Sequence, residues 1–397
     1  MYLTREEEGM LDGEEGAVVA KCMKLLVKLG EIYGAERMVK IGSSQVAGVS
    51  YKSIGEPGLE FLRGFAEEGT KVRVPTYLNP AGMDLENWKD FGISENFAQK
   101  QKEIINAFKK MGVVITCSCT PYLLGNLPRY GEHLAWSESS AVVFANSVIG
   151  ARTNREGGPS ALAAAIVGRT ANYGLHREEN RKPSILIDIG GQLKTNADFG
   201  ALGYWVGKTI KNRVPYLHGV EECTTDNLKS LGAAMAASGA IALYHIKDRT
   251  PEAKHYEDEI KNLETIEFFT EDLKESYDEL SDCDDPDLIV IGCPHASLSE
   301  IEFLAKKLKD KKLKKSLWVC TSRCIKVWAD EMDYTKIIEA SGAKIVCDTC
   351  MVVSPLEELD FRCIGTNSGK AAKYLPGFCN KNVFFADIDD LVEKGLK

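Results

Sequence analysis

The sequence predicts an α/β protein of several domains with mainly parallel sheets. Three observations lead there. At 397 residues the chain exceeds what one hydrophobic core ordinarily serves, so two or three domains are expected. From about residue 71, short apolar runs rich in Val, Ile and Leu alternate with helical patterns, the rhythm of parallel βαβ units. Several of those runs end in cysteine, and the carboxyl ends of strands are where α/β sheets place their ligands.

Residues 1–70 read as mostly helical. In "LTREEEGML", Thr4 with Glu7 three residues on makes a capping-box pattern. "GAVVAKCMKLLVKLGEIYG" keeps helical apolar spacing up to Gly34. "SSQVAGVSY" (43–51) is small, polar and glycine-punctuated, and is expected to be a loop. "KVRVPTYL" then reads as a strand, "NPAGMD" as a turn, "ENFAQKQKEIINAFKKMG" as a helix and "VVITCSC" as a strand. "WSESSAVVFANSVIG" and "GPSALAAAIVGRTANYG" are expected to be two helices packed together. "SILIDI", "VPYLHGV" and "GAIALYHI" form a second strand series. Residues 256–285, charged and irregular, mark a boundary before a third, "DLIVIGC", "SLWVCTS", "KIVCDTC" and "NVFFADI". The expected domains are 1–185, a helical segment plus a first α/β domain, then 186–280 and 281–397, each α/β.

Composition narrows the function classes. The apolar share of 44% is ample for folded structure, and the balance of 49 basic against 58 acidic residues leaves −9. That argues against a nucleic-acid or anionic-membrane partner and for solubility. The basic run "KKLKDKKLKK" (306–315) is read as a solvated helix face with its exit loop. The start, "MYLTREEEGMLDG", lacks a basic n-region and an apolar h-region, and "GAAMAASGAIALY" is too short to span a bilayer, so a soluble, cytoplasmic protein is expected. Its twelve cysteines are then expected to stay reduced, most of them as small buried hydrophobes.

Three strands deliver a thiol to a carboxyl end: Cys117 and Cys119, then Cys293, then Cys347 and Cys350. Repetition of one local design favours convergence on one site. Three thiolates with an open position suit an iron–sulfur cluster. Two other accounts stay open. Cys347 and Cys350 with Cys320 and Cys324 have spacing for a zinc staple, and a cysteine nucleophile with His295 or His133 as base would make a hydrolase. Polar segments without core logic supply candidate substrate-binding residues. These are Ser43, Gly48 and Ser50, then Asn79, then Ser139, Ser140, Asn146, Arg152, Thr153 and Arg155, then Ser368 and Lys370. Cations in such company suit recognition of carboxylate or phosphate. "GTNSGKAAKYLPG" is one residue short of a nucleotide phosphate loop and lacks its final hydroxyl residue, so a nucleotide is not expected.

The segments "SSQVAGVSYKSIGEPGLEFL", "NPAGMD", "CTPYLLGNLPRYGEHLAWSESSAVVFANSVIGARTNREGGPSALAAAIVGRT", "GCPHAS", "DTC" and "TNSGKAAKYLPG" together resemble the large subunit of the aconitase X family, over about residues 1–380. The resemblance implies three aconitase-like α/β domains around a central cluster, with a swivelling fourth domain carried by a separate small subunit. It implies Cys119, Cys293 and Cys350 as ligands of an iron–sulfur cluster, expected as 4Fe–4S, with Cys117 and Cys347 outside the ligand set. It implies a hydro-lyase acting on a β-hydroxy acid, with (R)-5-phosphomevalonate favoured over cis-3-hydroxy-L-proline. The serine base of aconitase relatives lies on the swivelling domain, so no base is expected in this chain, and a heterodimer is.

Overall fold

The computed structural model describes all 397 residues. The Thr4 capping box forms as expected, with Thr4 N donating to the Glu7 carboxylate at 2.8 Å and Glu7 N to Thr4 Oγ1 at 3.4 Å. It starts helix Arg5–Asp12, and helix Ala17–Ile32 follows, stopping just before Gly34, whose φ of +69° no ordinary helix continues. The strands are then β1 (Met38–Lys40), β2 (Ser44–Val46), β3 (Thr76–Leu78), β4 (Ala135–Trp136) and β5 (Arg169–Ala171). β1 and β5 form an antiparallel pair, while β3-β2-β4 is a small parallel sheet.

A second sheet, parallel throughout, contains β6 (Ile185–Ile189), β7 (Pro215–His218), β8 (His245–Ile246) and β9 (Thr265–Phe268) in the order β8-β7-β6-β9. A third contains β10 (Leu288–Ile291), β11 (Ser316–Thr321), β12 (Lys344–Cys347), β13 (Cys363–Thr366) and β14 (Asn382–Phe385), again parallel, in the order β12-β11-β10-β13-β14. The fold is α/β with mainly parallel sheets. β10 shows why its run "LIVI" is continuously apolar. Leu288 and Val290 join the core on one face, Ile289 and Ile291 the core on the other. Each such side chain contributes about 1.5–3 kcal/mol on burial.

"GAAMAASGAIALY" is a helix-packing device. Helix Thr225–Gly239 lies so close to helix Asn196–Ile210 that a Cβ on Gly239 would stand 2.3 Å from Gly207 O. No helix is long and apolar enough to cross a membrane.

The structure corrects the sequence reading at several places, and of "GAIALYHI" only His245–Ile246 is strand. "SSQVAGVSY" contains β2, the central strand of its sheet, because Ser44 Oγ sits within 2.9 Å of the Ala135 and Ala161 carbonyls and makes a polar strand burial-competent. Conversely, 113–119 forms only a ragged edge on β3: Val114 N reaches Thr76 O at 2.8 Å, but Thr116 N turns back to Val114 O and Cys117 adopts φ +43°. Within "KVRVPTYL" only Thr76–Leu78 is strand. Residues 256–285 hold β9 and helix Thr270–Glu279, β9 being an exposed edge strand whose polar face obscured it. Helices Ser139–Phe144 and Gly158–Val167 pack mainly on different partners, Thr225–Gly239 and Ala17–Ile32 respectively. Finally, the thiols are not all free. Cys283 and Cys363 form a disulfide with Cα atoms 6.3 Å apart. The Asp282 and Cys283 amides bond to Val383 O on β14, and β14 pairs with the start of β13, which sets the two sulfurs side by side.

Candidate active site

Each of the three expected ligand cysteines is brought in by a different backbone device. Cys119 follows the Cys117 turn, where Ser118 N returns to Leu78 O at 2.9 Å. Cys293 follows Gly292, whose φ is +102° and whose missing Cβ would lie 2.1 Å from Cys320 O, so only glycine fits. Cys350 follows Asp348 (φ +65°), whose carbonyl accepts from Ala81 N at 2.8 Å. Arg323 fastens this last turn. Its Nη2 lies 2.9 Å from Asp84 and also pairs with Asp348, while Asp84 accepts from Cys347 N at 2.9 Å. The "NPAGMD" turn of the first sheet region is thereby locked to the "DTC" turn of the third.

Cys119, Cys293 and Cys350 end up 5%, 7% and 8% exposed around one ammonium, that of Lys370. Lys370 favours the thiolate of all three. Burial pushes the Cys119 thiol up to about 12. Cys350 is held down to about 7, first by a hydrogen bond from Cys293, against the cost of burial. Cys117 and Cys347 belong to hydrophobic cores. The four-cysteine zinc arrangement is not assembled: Cys320 lies within β11 and Cys324 is exposed on the next helix. No three His, Cys, Asp or Glu side chains gather tightly enough for a single metal ion. The donor set fits a cluster instead, whose ligands stand at separate corners.

Glu138 forms the floor beside the thiols. Its carboxylate pairs with Lys370 and accepts from Asn79 Nδ2 at 2.9 Å, Ser140 Oγ at 3.1 Å and Ser139 Oγ at 3.5 Å. Burial pushes this carboxyl up, but the Lys370 ammonium and these donors outweigh it and hold it down to about 2. Its side chain keeps 13% exposure and that of Lys370 9%, so the pair is nearly buried. Lys370 stands in the first turn of helix Gly369–Cys379, which Ser368 caps by accepting from Ala371 N at 3.0 Å.

Buried Ser50 donates to Val353 O at 2.7 Å just past Cys350, and Lys52 follows it, 3.0 Å from Ser354 O and 2.5 Å from Glu357. Ser43 and Gly48 flank β2, Ser43 Oγ accepting from Trp136 Nε1 at 3.2 Å. Four expected substrate residues are placed elsewhere. Asn146 and Thr153 are fully buried, the Asn146 side chain bonding to both the backbone N–H and the carbonyl of Thr153, and Asn146 also accepts from Arg181. Arg152 pairs with Glu178, and Arg155 is exposed.

Sequence reasoning did not select Glu138 as a site residue and offered His295 only as a base. His295 is pushed down to about 4 by burial, and both ring nitrogens are engaged, Nδ1 with Ser118 Oγ and Nε2 with Thr349 O. A ring so committed is not a free base for a cysteine nucleophile. The signal for Glu138 was its place directly before a hydroxyl pair, "ESS", at a helix start.

The chain was compared with known proteins. Family models described as the Aconitase X first, second and third domains match residues 1–179, 183–278 and 286–397. The phosphomevalonate dehydratase large subunit of Methanocaldococcus jannaschii is 58% identical over 99% of this chain and 100% of its own length. That of Thermococcus kodakarensis is 50% identical, covering 99% of this chain and 100% of its own. The cis-3-hydroxy-L-proline dehydratase of Pseudomonas aeruginosa is 31% identical, over 98% of this chain but 69% of its own length. A crystal structure of Thermococcus kodakaraensis aconitase X in its holo-form superposes with a TM-score of 0.93 at 50% identity, covering both chains fully. By fold and by full-length sequence, this chain belongs to the aconitase X family.

Proposed function

We propose that the chain is the large subunit of an iron–sulfur hydro-lyase that dehydrates (R)-5-phosphomevalonate to trans-anhydromevalonate 5-phosphate, in a mevalonate route to isoprenoids. The observation that carries the reading is the gathering of Cys119, Cys293 and Cys350 around the Lys370–Glu138 pair. The choice of substrate is supported by relatives at 50–58% identity that bear that name, against 31% for the hydroxyproline enzymes. The term "large subunit" in those names supports a separate small subunit, and with it a heterodimer.

The overall change removes a proton from the carbon next to the carboxylate and a hydroxyl from the carbon beyond it, leaving a double bond and water. Cys119, Cys293 and Cys350 would hold the cluster, expected as 4Fe–4S, which when bound would supply Lewis acidity toward the departing hydroxyl. The burial of these cysteines excludes water. Lys370, whose ammonium has donors beyond its pair with Glu138, holds a substrate anion and spreads the charge that builds on the carboxylate as the α-proton leaves. The Ser139 and Ser140 hydroxyls hold Glu138 in place. Ser50, Asn79 and Ser368 are buried in the supporting hydrogen-bond network, Ser50 donating to Val353 O, Asn79 to Glu138, and Ser368 accepting from Ala371 N, with Ser43 and Gly48 flanking β2. This chain supplies no group beside the thiols suited to take the proton: the Glu138 carboxyl, held down to about 2, is too weak a base, and His295 is doubly bonded. The base is assigned to the small subunit.

The testing experiment is metal and sulfide analysis with a visible spectrum on anaerobically purified chain, then turnover with and without the small subunit. Iron, sulfide and charge-transfer colour should be present, with turnover only in the complex. A colourless, iron-free chain, or full activity without the partner, would overturn the proposal.

A further inference from the structure

His295 touches all three cysteine loops at once. It stands two residues beyond Cys293 and is fully buried. Its Nε2 lies 2.8 Å from Thr349 O, a pure acceptor, so the ring proton is on Nε2 and donates there. Nδ1 is then the acceptor, and it takes the Ser118 hydroxyl at 3.1 Å. The His295 backbone N–H donates to Cys119 Sγ at 3.1 Å. Ser118 directly precedes Cys119, and Thr349 directly precedes Cys350. One residue thus ties the neighbours of every ligand cysteine, across chain segments separated by 176 and 54 positions.

The tie is itself braced. Ser118 Oγ accepts from Thr120 N at 3.2 Å, which holds the hydroxyl in place. Behind the histidine, buried Lys229 donates to His295 O at 3.2 Å and pairs with Asp226 at 2.9 Å and with Glu300. Helix Thr225–Gly239 of the second sheet region is thereby fastened to the same point. We propose that His295 is the positioning residue that holds the three cysteine loops in mutual register for the cofactor, and that it carries no proton in the reaction. Loop register matters because ligand groups must be held within a fraction of an ångström before the cofactor arrives. This rests on Cys119, Cys293 and Cys350 being the ligands.

The test compares the full native chain with His295→Ala, His295→Gln and Ser118→Ala by peptide-resolved hydrogen–deuterium exchange without metal, then by iron release to a chelator after anaerobic reconstitution. In His295→Ala, uptake should rise together at 117–121, 293–297 and 348–352 while the rest of the third sheet is unchanged. In Ser118→Ala only the first of these should loosen. Iron should leave His295→Ala about ten-fold faster or more than native, the size expected for a lost partner of a metal ligand. His295→Gln, which keeps one donor and one acceptor, should fall between. Unchanged uptake in the three loops, a rise spread evenly over β10–β14, or native-like iron release would overturn the proposal. If the native chain takes up no iron and sulfide, the ligand assignment fails, and the exchange arm alone decides the tie.

Discussion

Lys370→Met removes one half of a buried ion pair and leaves the other behind. Lys370 is 7% exposed, and Glu138 would keep only the Asn79 and serine donors. Breaking a buried pair from one side costs about 3–5 kcal/mol, because an uncompensated charge stays in a poorly solvated place. Glu138→Gln leaves a buried ammonium without its counter-ion, at a similar cost. In the double variant neither charge remains, so a coupling of about 2–3 kcal/mol should appear. The pH dependence fixes the sign. In the native chain the Glu138 carboxyl is held at about 2 rather than 4.5, so its stabilisation is complete above about pH 4.5 and is lost as pH falls toward 2. In Lys370→Met burial is opposed only by the Asn79 and serine donors, so that carboxyl rises from its native value. The deficit against native should therefore be largest near pH 7 and shrink below about pH 4.5. Chemical denaturation read by circular dichroism and tryptophan fluorescence at pH 7 and pH 4 measures both. A Lys370→Met chain within about 0.5 kcal/mol of native at pH 7, the range of ordinary surface changes, would refute the reasoning.

Three further outcomes are expected. Replacing each cysteine singly by alanine should abolish visible charge-transfer absorption only at Cys119, Cys293 and Cys350, and full colour in Cys293→Ala would contradict the ligand set. His176, His245 and His295 are pushed down to about 3, 4 and 4 by burial, against 6.5 when unfolded. Below pH 6.5 the unfolded chain takes up protons that the folded one refuses, so stability should fall by up to about 1.4 kcal/mol per pH unit for each, down to about pH 4; a flat stability profile between pH 6.5 and 4.5 would contradict their burial. Reduction of Cys283–Cys363, which closes a loop of 80 residues, should destabilise the chain by about 4 kcal/mol. Denaturation with and without reductant reads this, and identical midpoints would argue that the bridge does not form.

What could be read from the sequence was what repeats a pattern. "LIVI" carries the apolar continuity of a strand covered on both faces, "ILIDI" the alternation of one more deeply buried on one face, and both are strands. Thr4 with Glu7 is a local device that needs nothing distant, and it forms. β2 was hidden because its residues, Ser-Gln-Val, are polar for the sake of the site. Gln45 reaches Asn79 at 3.1 Å and Glu138 N at 3.0 Å, which no periodicity reveals. β13 was hidden by Gly365, where a Cβ would crowd Leu391 and Pro286 at about 3 Å. The convergence of thiols was legible from strand ends. The role of His295 was not, since its partners come from two other loops. Glu138 was ambiguous for a related reason: a carboxylate among cations reads equally as surface pairing until burial is known.

The central claim is the reaction and its substrate. The complex of this chain with its small subunit, reconstituted anaerobically with iron and sulfide, is given (R)-5-phosphomevalonate, unphosphorylated mevalonate and cis-3-hydroxy-L-proline separately, and water loss is followed by NMR. The account predicts conversion of phosphomevalonate to trans-anhydromevalonate 5-phosphate. Mevalonate should react far more slowly, because binding energy from the remote phosphate is lost. Efficient dehydration of hydroxyproline with phosphomevalonate left untouched would contradict it.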